Sequence, residues 1–157
     1  MNIIVRYAER EELERVNEIR KMVSEVHVNG RPDIFRPGFC EELKDAVYQK
    51  FDSEDSDVIV ALIDETICGF EVVDYIDKPI NPYSFARKYL HIEEFGVHED
   101  YRRMGVATAL VEFAKQEAAK KGYSRIELDM WEFNEGALKF YESVGFKTYR
   151  RYLELDI

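Results

Sequence analysis

The stretch from Phe95 to Thr108 decides the fold of this chain, and it reads Phe-Gly-Val-His-Glu-Asp-Tyr-Arg-Arg-Met-Gly-Val-Ala-Thr. An extended run, Tyr89 to Val97, leads into it, and an amphipathic helical pattern, Gly105 to Lys121, follows it. The first N–H groups of a helix have no partner inside the helix and lie at the positive end of its dipole. The turn between strand and helix therefore predicts an anion site suited to phosphate.

Four residues of the turn favour this interpretation. Gly105 has no Cβ to keep a ligand from the backbone, and Ala107 keeps the next position small. Arg102 and Arg103 add positive charge at the same end. The turn is neither a Walker loop, which needs Gly-Lys-Ser/Thr, nor a three-glycine dinucleotide fingerprint. An ordinary strand-to-helix turn with a glycine near the N-cap would show similar residues, so the rest of the chain has to decide.

Length and composition predict one domain, residues 1–157, with a single core. The chain is 46% apolar and 34% charged, as expected of a globular protein. It contains no apolar run that could cross a bilayer and no signal-peptide core, so we expect no membrane partner and a cytoplasmic location. Cys40 and Cys68 form neither a disulfide framework nor a metal-ligand spacing, so we expect no metal.

Charge is distributed unevenly along the chain. The net charge of −10 argues against nucleic acid as a partner. Residues 1–100 carry 23 acidic and 12 basic side chains, whereas residues 101–157 carry 9 acidic and 10 basic ones. The first part would attract cations, and the second can accept a polyanionic cofactor.

Periodicity predicts the elements of an α/β (α+β) fold. Strands are expected at 3–7, 58–63, 67–77, 89–97, 125–130 and 146–155, and helices at 9–26, 41–51, 105–121 and 134–144. The strand at 125–130 completes a βαβ unit and should lie parallel to the strand at 89–97. The whole is a mixed, mostly antiparallel sheet of six to seven strands with helices on both faces. The apolar loop at 34–39 is either a cleft wall or a small core plug.

Two motifs and the element order resemble those of the GNAT acetyltransferase superfamily. Arg102-x-x-Gly105-x-Ala107 is similar to its pyrophosphate-binding signature, Gln/Arg-x-x-Gly-x-Gly/Ala. The second motif, Asn134-x-x-Ala137-x-x-x-Tyr141-Glu142-x-x-Gly145-Phe146, looks like the other half of the family's pattern. The resemblance covers nearly the whole chain and is strongest over residues 89–146. Ala107 stands where glycine is common, which is an accepted variant.

This resemblance implies transfer of an acetyl group from acetyl-CoA, the cosubstrate, to an amine. It also implies that the βαβ unit binds the cofactor, the turn cradling its pyrophosphate and the preceding strand pairing with its pantetheine arm. The expected cofactor-binding residues are Phe95, Gly96, Val97, Arg102, Arg103, Met104, Gly105, Val106, Ala107, Thr108, Asn134, Ala137 and Tyr141.

Catalysis would need a base for the amine and an acid for the departing thiolate. Alternation puts His91, Glu93 and Phe95 on one face of their strand, with Glu94 on the other, unless a bulge intervenes. We expect Glu93 as base, with His91 second and Glu94 third, although each could instead bind a cationic substrate. Tyr141 is the expected acid. His27 and His98 receive no role.

Three functions stay open from the sequence. The acidic N-terminal part favours an N-acetyltransferase that acts on a small cationic amine. The same enzyme class could act on a protein lysine or N-terminus. For either kind of acceptor, recognition would fall mainly on residues 26–39 and 78–88. A non-catalytic acetyl-CoA-binding module is disfavoured by Tyr141 and the strand carboxylates. Two copies could also pair through their C-terminal strands as a homodimer.

Overall fold

The structure, a computed structural model, describes residues 2–157 and consists of one five-stranded sheet with helices on both faces. The strands lie in the order β1-β2-β3-β4-β5, and every pair is antiparallel except β4–β5. The strands are β1 Ile3–Tyr7, β2 Ser56–Ile63, β3 Thr66–Lys78, β4 Arg87–Val97 and β5 Ile126–Glu127. The helices are α1 Leu13–Gly30, α2 Glu41–Asp52, α3 Val106–Lys120 and α4 Glu135–Ser143, with short 3-10 turns at Arg10–Glu12 and Glu99–Tyr101.

Strand alternation divides the core into two layers. On β2, Val58 and Val60 face α1 and α2, whereas Ile59 and Ala61 face α3. Both sets are almost completely buried, which explains why the strand reads as a continuous apolar run. The prediction of helices on both faces is confirmed. None of the helices in residues 2–157 combines the length and the apolar character needed to span a membrane.

The parallel pairing of β4 with β5, predicted from the βαβ order, is confirmed, but it is very short. Only two residue pairs form it, Leu90 with Ile126 and His91 with Glu127. The buried carboxylate of Glu127 fixes this contact, because it accepts hydrogen bonds from Arg87, Arg125 and the Tyr149 hydroxyl.

This network also sets the charge of Glu127. Burial alone raises the pKa of the Glu127 carboxyl, but the hydrogen bonds from Tyr149 and Arg125 and the nearby positive charges outweigh it, so the pKa is lowered. The group is therefore a carboxylate near neutral pH, and it holds the start of β5 against the sheet.

Two glycines let helices approach the sheet closely. A Cβ on Gly69 of β3 would lie 2.7 Å from Val106 Cγ1, at the first residue of α3. A Cβ on Gly96 of β4 would lie 2.7 Å from Val23 Cγ2 of α1. Contacts this short are not tolerated, so both positions need glycine for the helices to lie where they do.

The predicted strand at 146–155 is wrong, and so is the count of six to seven strands. Within residues 2–157 the sheet has five strands, and β5 covers two residues instead of the six expected at 125–130. Because β5 is so short, it presents no long edge for another strand. Residues 147–157 are exposed, and side-chain contacts hold them, including the ion pair Arg31–Glu154 at 2.9 Å.

Helix α1 extends four residues beyond its predicted end at residue 26. It runs to Gly30 and closes with the Arg31 N–H donating to the His27 carbonyl at 2.9 Å. Pro32 then prevents continuation, since it lacks an N–H and disfavours helical geometry at the residue before it. The extra turn brings His27 and Gly30 beside the candidate site described below.

We predict that Gly69→Ala lowers the free energy of unfolding by about 1–3 kcal/mol, because the added methyl overpacks the contact between β3 and α3. Urea denaturation measures the change. Gly136→Ala is the matched control, since nothing lies within 4 Å of its Cβ position and it sits in α4. The control should be neutral or stabilising by roughly 0.5–1 kcal/mol. Equal stability of the Gly69→Ala protein and the wild type would contradict the close approach.

Candidate active site

The turn between β4 and α3 has an unusual backbone. Gly105, the N-cap of α3, has φ +89°, and Arg103 has φ +64°. Among residues 2–157, leaving aside its chain neighbours, the only atom within 4 Å of a Cβ built on Gly105 is Ile3 Cδ1, at 3.7 Å. Space is therefore available at this position, and glycine is needed chiefly for the left-handed conformation rather than for a missing Cβ.

The first turn of α3 offers free N–H groups. No side chain caps the helix, and within residues 2–157 the N–H groups of Val106, Ala107 and Thr108 have no protein acceptor. No acidic residue occupies this turn, and Arg102 and Arg103 are exposed beside it. This arrangement fits the predicted anion site, because an anion would supply the missing acceptors.

A gap opens beside β4 where its pairing with β5 ends. From Ile92 to Val97 the strand has a neighbour on the β3 side only. The His98 N–H donates to the Cys68 carbonyl of β3 at 2.8 Å. Since backbone groups alternate along a strand, those of Phe95 and Val97 point away from β3 and into the gap.

A β-bulge at Glu93 changes the faces of β4. Glu94 pairs with Val72 and Ile92 with Val73, so Glu93 has no partner across the strand. The expectation that His91, Glu93 and Phe95 share a face is therefore wrong. His91 and Glu93 lie side by side, with Nδ1 3.2 Å from Oε2, whereas the Phe95 ring packs on α4.

A cavity of about 260 Å³ lies between α1 and α4, over the gap beside β4. It brings together seven of the predicted cofactor residues. The lining comprises Met22, Val23, Val26, His27, Phe95, Gly96, Val97, Arg102, Asn134, Ala137, Phe140 and Tyr141. Arg103 to Thr108 lie outside this lining, in the turn that leads into α3, and His91 and Glu93 lie outside it further back along β4.

Helix α4 is positioned by its cap. The Asn134 side chain accepts a hydrogen bond from the Ala137 N–H at 3.2 Å, as its place before the helix predicts. This start places Phe140 and Tyr141 over the gap. There the Tyr141 ring packs edge to face on the rings of Phe95 and Phe146, with centroid distances of 6.0 and 5.6 Å.

The Tyr141 phenol is neutral over the physiological range. Burial is the main cause that raises its pKa to about 12, and a nearby carboxyl, Glu71, adds to the effect. A phenol in this state can donate a proton, provided that the recipient is a stronger base than water.

Glu94 turns toward α1. Its carboxylate accepts from the Arg20 Nε at 3.0 and 3.2 Å, and Arg20 is buried and also donates to the Asn17 side chain. Burial lowers the pKa of His27 in the cavity wall, and the charge of Glu94 partly offsets this effect. His27 is a site residue that the sequence analysis missed, because only the extra turn of α1 brings it here.

A set of carboxylates surrounds His91. Its Nε2 lies 3.7 Å from Asp129, and its Nδ1 faces Glu93. Asp74, Glu93 and His91 carry potential ligand atoms within 4.8 Å of one another. The Asp74 carboxylate already accepts from Lys50 at 2.8 Å and from a serine hydroxyl, so we assign no metal to this group.

A cluster of aromatic rings packs against His27, a residue of the cavity wall. Phe133 lies against the backbone of Gly30, where a Cβ would be only 2.2 Å from the ring. The His27 and Phe35 rings pack in a tilted arrangement with centroids 5.2 Å apart. The Phe35 and Trp131 rings pack edge to face with centroids 5.0 Å apart. The apolar loop at 34–39 thus contributes Phe35 to the ring cluster behind His27, and none of its residues is among those that line the cavity.

A buried carboxyl lies behind the cavity. The Glu71 side chain is 0% exposed, and neither of its oxygens has a hydrogen-bond partner. Burial raises the pKa of this carboxyl well above its usual value. The sequence analysis assigned it no role, although a single acidic residue inside the apolar run Phe70 to Val73 was a visible signal.

Comparison with known proteins identifies similar chains. The model of the Acetyltransferase (GNAT) family matches residues 4–146. Human N-acetyltransferase 8 is 30% identical over 108 residues, which are 69% of this chain and 46% of that protein. L-ornithine N5-acetyltransferase NATA1 of Arabidopsis thaliana is 30% identical over 91 residues, 58% of this chain and 38% of that protein. The chain thus spans less than half the length of these curated relatives.

A solved structure resembles the whole chain. A mutant of the BH1408 protein of Bacillus halodurans superposes with a TM-score of 0.92 at 29% identity, covering 98% of this chain and 99% of that one. The arrangement of sheet, turn and helices described above is therefore shared over essentially the full length.

We predict that Gly105→Ala weakens acetyl-CoA binding at least tenfold, because the turn cannot keep φ near +89° without strain. Isothermal calorimetry gives the dissociation constant. Gly122→Ala is the matched control, since Gly122 has φ +82° just beyond the other end of α3. Both variants should lose stability, but only Gly105→Ala should lose affinity. Equal affinities of the two variants would argue against an anion site in this turn.

Proposed function

This chain belongs to the GNAT acetyltransferase family, and from that premise we propose that it transfers the acetyl group of acetyl-CoA to a primary amine, specifically a small cationic one. The observation that carries the proposal is the gap beside β4, which is flanked by free backbone groups and closed by Tyr141. The alternatives, a protein acceptor and a non-catalytic module, are outcomes of the tests below.

The gap and the turn fit the two ends of the cofactor. The backbone groups of Phe95 and Val97 can pair with the amides of a pantetheine arm as a further strand would. The free N–H groups in the first turn of α3 can donate hydrogen bonds to the diphosphate, and Arg102 and Arg103 lie beside them. Neither end needs a backbone rearrangement to expose these groups.

The chain's own residues would handle two protons. Acetyl-CoA, when bound, supplies the acetyl group as a thioester. Glu93 takes a proton from the acceptor's ammonium, so that the nitrogen has a lone pair to attack the thioester carbonyl. After the attack the nitrogen is positively charged, and it releases its second proton to solvent. As the carbon–sulfur bond breaks, Tyr141 donates its phenolic proton to the sulfur. The products are an amide and a free thiol, and both residues recover their protonation states from solvent.

Glu93 is suited to the base role by its position in the bulge. The bulge frees its side chain from the sheet, and its carboxylate is exposed and contacts His91. His91 is the second candidate for the base. Glu94 is the third, and its ion pair with Arg20 uses its lone pairs, which leaves it less available.

Carboxylates around His91 favour a cationic acceptor. Asp74, Glu93 and Asp129 all approach this side chain. They would attract a substrate with a second positive group and hold it beside the base. The Arabidopsis relative, named for acetylation of L-ornithine, has such a substrate, which supports the assignment.

The test is a screen for thiol release from acetyl-CoA. The panel contains polyamines, aminoglycosides, ornithine and other amino-acid amines, and lysine-containing peptides. We expect turnover with diamines and polyamines and little with neutral monoamines. Turnover restricted to peptides would replace the small acceptor by a protein. Binding of acetyl-CoA without turnover on any amine would favour the non-catalytic module.

We predict that Tyr141→Phe lowers kcat by roughly 10²-fold or more while KM for acetyl-CoA changes little, because the acid is lost and the ring is kept. Steady-state kinetics with the best acceptor provides the measurement. Tyr123→Phe is the control, because Tyr123 packs on Tyr75 outside the cavity and should leave kcat unchanged. Full activity of Tyr141→Phe would remove the phenol from the mechanism.

We predict that Glu93→Gln lowers kcat/KM by roughly 10²-fold at neutral pH through loss of the base. Glu99→Gln, an exposed acid in the 3-10 turn after β4, is the control and should keep wild-type kinetics. His91→Asn decides between the first two candidates. A larger loss in His91→Asn than in Glu93→Gln would make His91 the base and Glu93 its partner.

A further inference from the structure

Glu71 is the one buried carboxyl among residues 2–157 for which both oxygens lack a partner. Leaving such a group unpaired is destabilising, which a core made only for stability would avoid. In β3, Glu71 lies opposite Ile59 of β2 on one side and Phe95 of β4 on the other. Directly opposed residues point to the same side of a sheet.

The two cross-strand neighbours of Glu71 are apolar. Ile59 and Phe95 both belong to the core on the α3 side of the sheet, so Glu71 faces this core. Its pKa responds to burial alone. The protonated form of the carboxyl is therefore favoured, since an isolated carboxylate would be costly there.

One ring separates Glu71 from the candidate site. Phe95, its direct neighbour across the strands, packs its ring against that of Tyr141 at 6.0 Å, and both rings line the cavity. The charge of Glu71, when present, acts on the Tyr141 phenol across this apolar contact, where little solvent screens it.

Several other charged groups lie near Tyr141. They are His27 and Arg102 across the cavity, Glu94 with its partner Arg20 beside α1, and the exposed Lys139 and Glu142 of α4 itself. Among them and Glu71, only Glu71 has a resolved effect on the phenol.

We propose that Glu71 is a positioning residue for the transfer reaction: protonated, it leaves the Tyr141 phenol free to donate its proton, and ionised, it holds that proton on the phenol. The role rests on the proposed function, in which Tyr141 is the acid. Glu71 then sets the upper pH limit of turnover through Tyr141 without touching either substrate.

Glu71→Gln separates this role from a structural one, because it keeps the shape and removes the ionisation. In the wild type, turnover falls as Glu71 ionises at alkaline pH. In the variant this fall disappears, so the alkaline limb of kcat moves to higher pH. The phenol itself changes in the opposite sense, since without the neighbouring charge it ionises at lower pH.

The phenol can be followed without turnover. The chain has ten tyrosines, so 3-fluorotyrosine placed at position 141 gives a single fluorine signal whose shift reports ionisation. We expect this signal to titrate at lower pH in the Glu71→Gln protein than in the wild type, with no cofactor present. Opposite movements of the two pH values are not expected from a loss of packing.

Glu71→Leu guards against a folding defect in Glu71→Gln. It also removes the charge but fills the site with apolar atoms, so it should shift both pH values in the same directions. An unchanged phenol titration in the variants that fold would overturn the inference, as would an unchanged alkaline limb. Full activity of Tyr141→Phe would overturn the acid role instead, while the fluorine titration would still decide whether the two groups are coupled.

Discussion

The architecture depends on the point at which β4 and β5 stop pairing. Glu127 holds the two strands together through Arg87, Arg125 and Tyr149, and only two residue pairs form before they separate. Beyond that point β4 is still paired with β3 but has an open side. Unpaired backbone groups inside a fold are costly unless something pairs with them. The gap therefore fits a ligand with a peptide-like backbone, and the cavity, the turn and α4 are arranged around it.

The bulge at Glu93 gives the same strand two functions. Before the bulge, β4 carries His91 among carboxylates, and after it the strand carries Phe95 toward α4. A regular strand would place these side chains on one face and could not serve both sides of the sheet. One inserted residue thus separates the polar group that would receive an amine from the apolar wall that would shield a thioester.

Local sequence predicted the elements that carry their own signals. The turn into α3, the Asn134 cap of α4 and the parallel crossover were all readable, because glycine, capping residues and helix periodicity act over a few residues. The length of β5 and the absence of strand pairing at 146–155 could not be predicted. Alternation of apolar and polar residues shows that a segment can form a strand, but not whether a sheet edge is available to pair with it.

The candidate site was predictable to a similar degree. Seven of the predicted cofactor residues line one cavity, Arg103 to Thr108 lie in the turn outside its lining, and His27 and Glu71 were missed. His27 arrives through one extra helical turn, and Glu71 is linked to the site only through Phe95, its direct neighbour on β4. The bulge also defeated the assignment of faces on β4, because a single register shift cannot be seen in one sequence.

The contact of Phe133 with the bare backbone of Gly30 has a consequence for how the cavity admits a molecule. Among residues 2–157, no hydrogen bond joins the end of α1 to the segment 131–133. Ring packing and the Arg31 guanidinium, 5.9 Å from the centroid of the Trp131 ring, hold the two segments together. Such contacts have no preferred direction, and rings can slide over one another without an intermediate state that exposes unpaired polar groups. The β4 side of the cavity is fixed by strand hydrogen bonds, so the aromatic contacts mark the side that can widen without breaking a hydrogen bond.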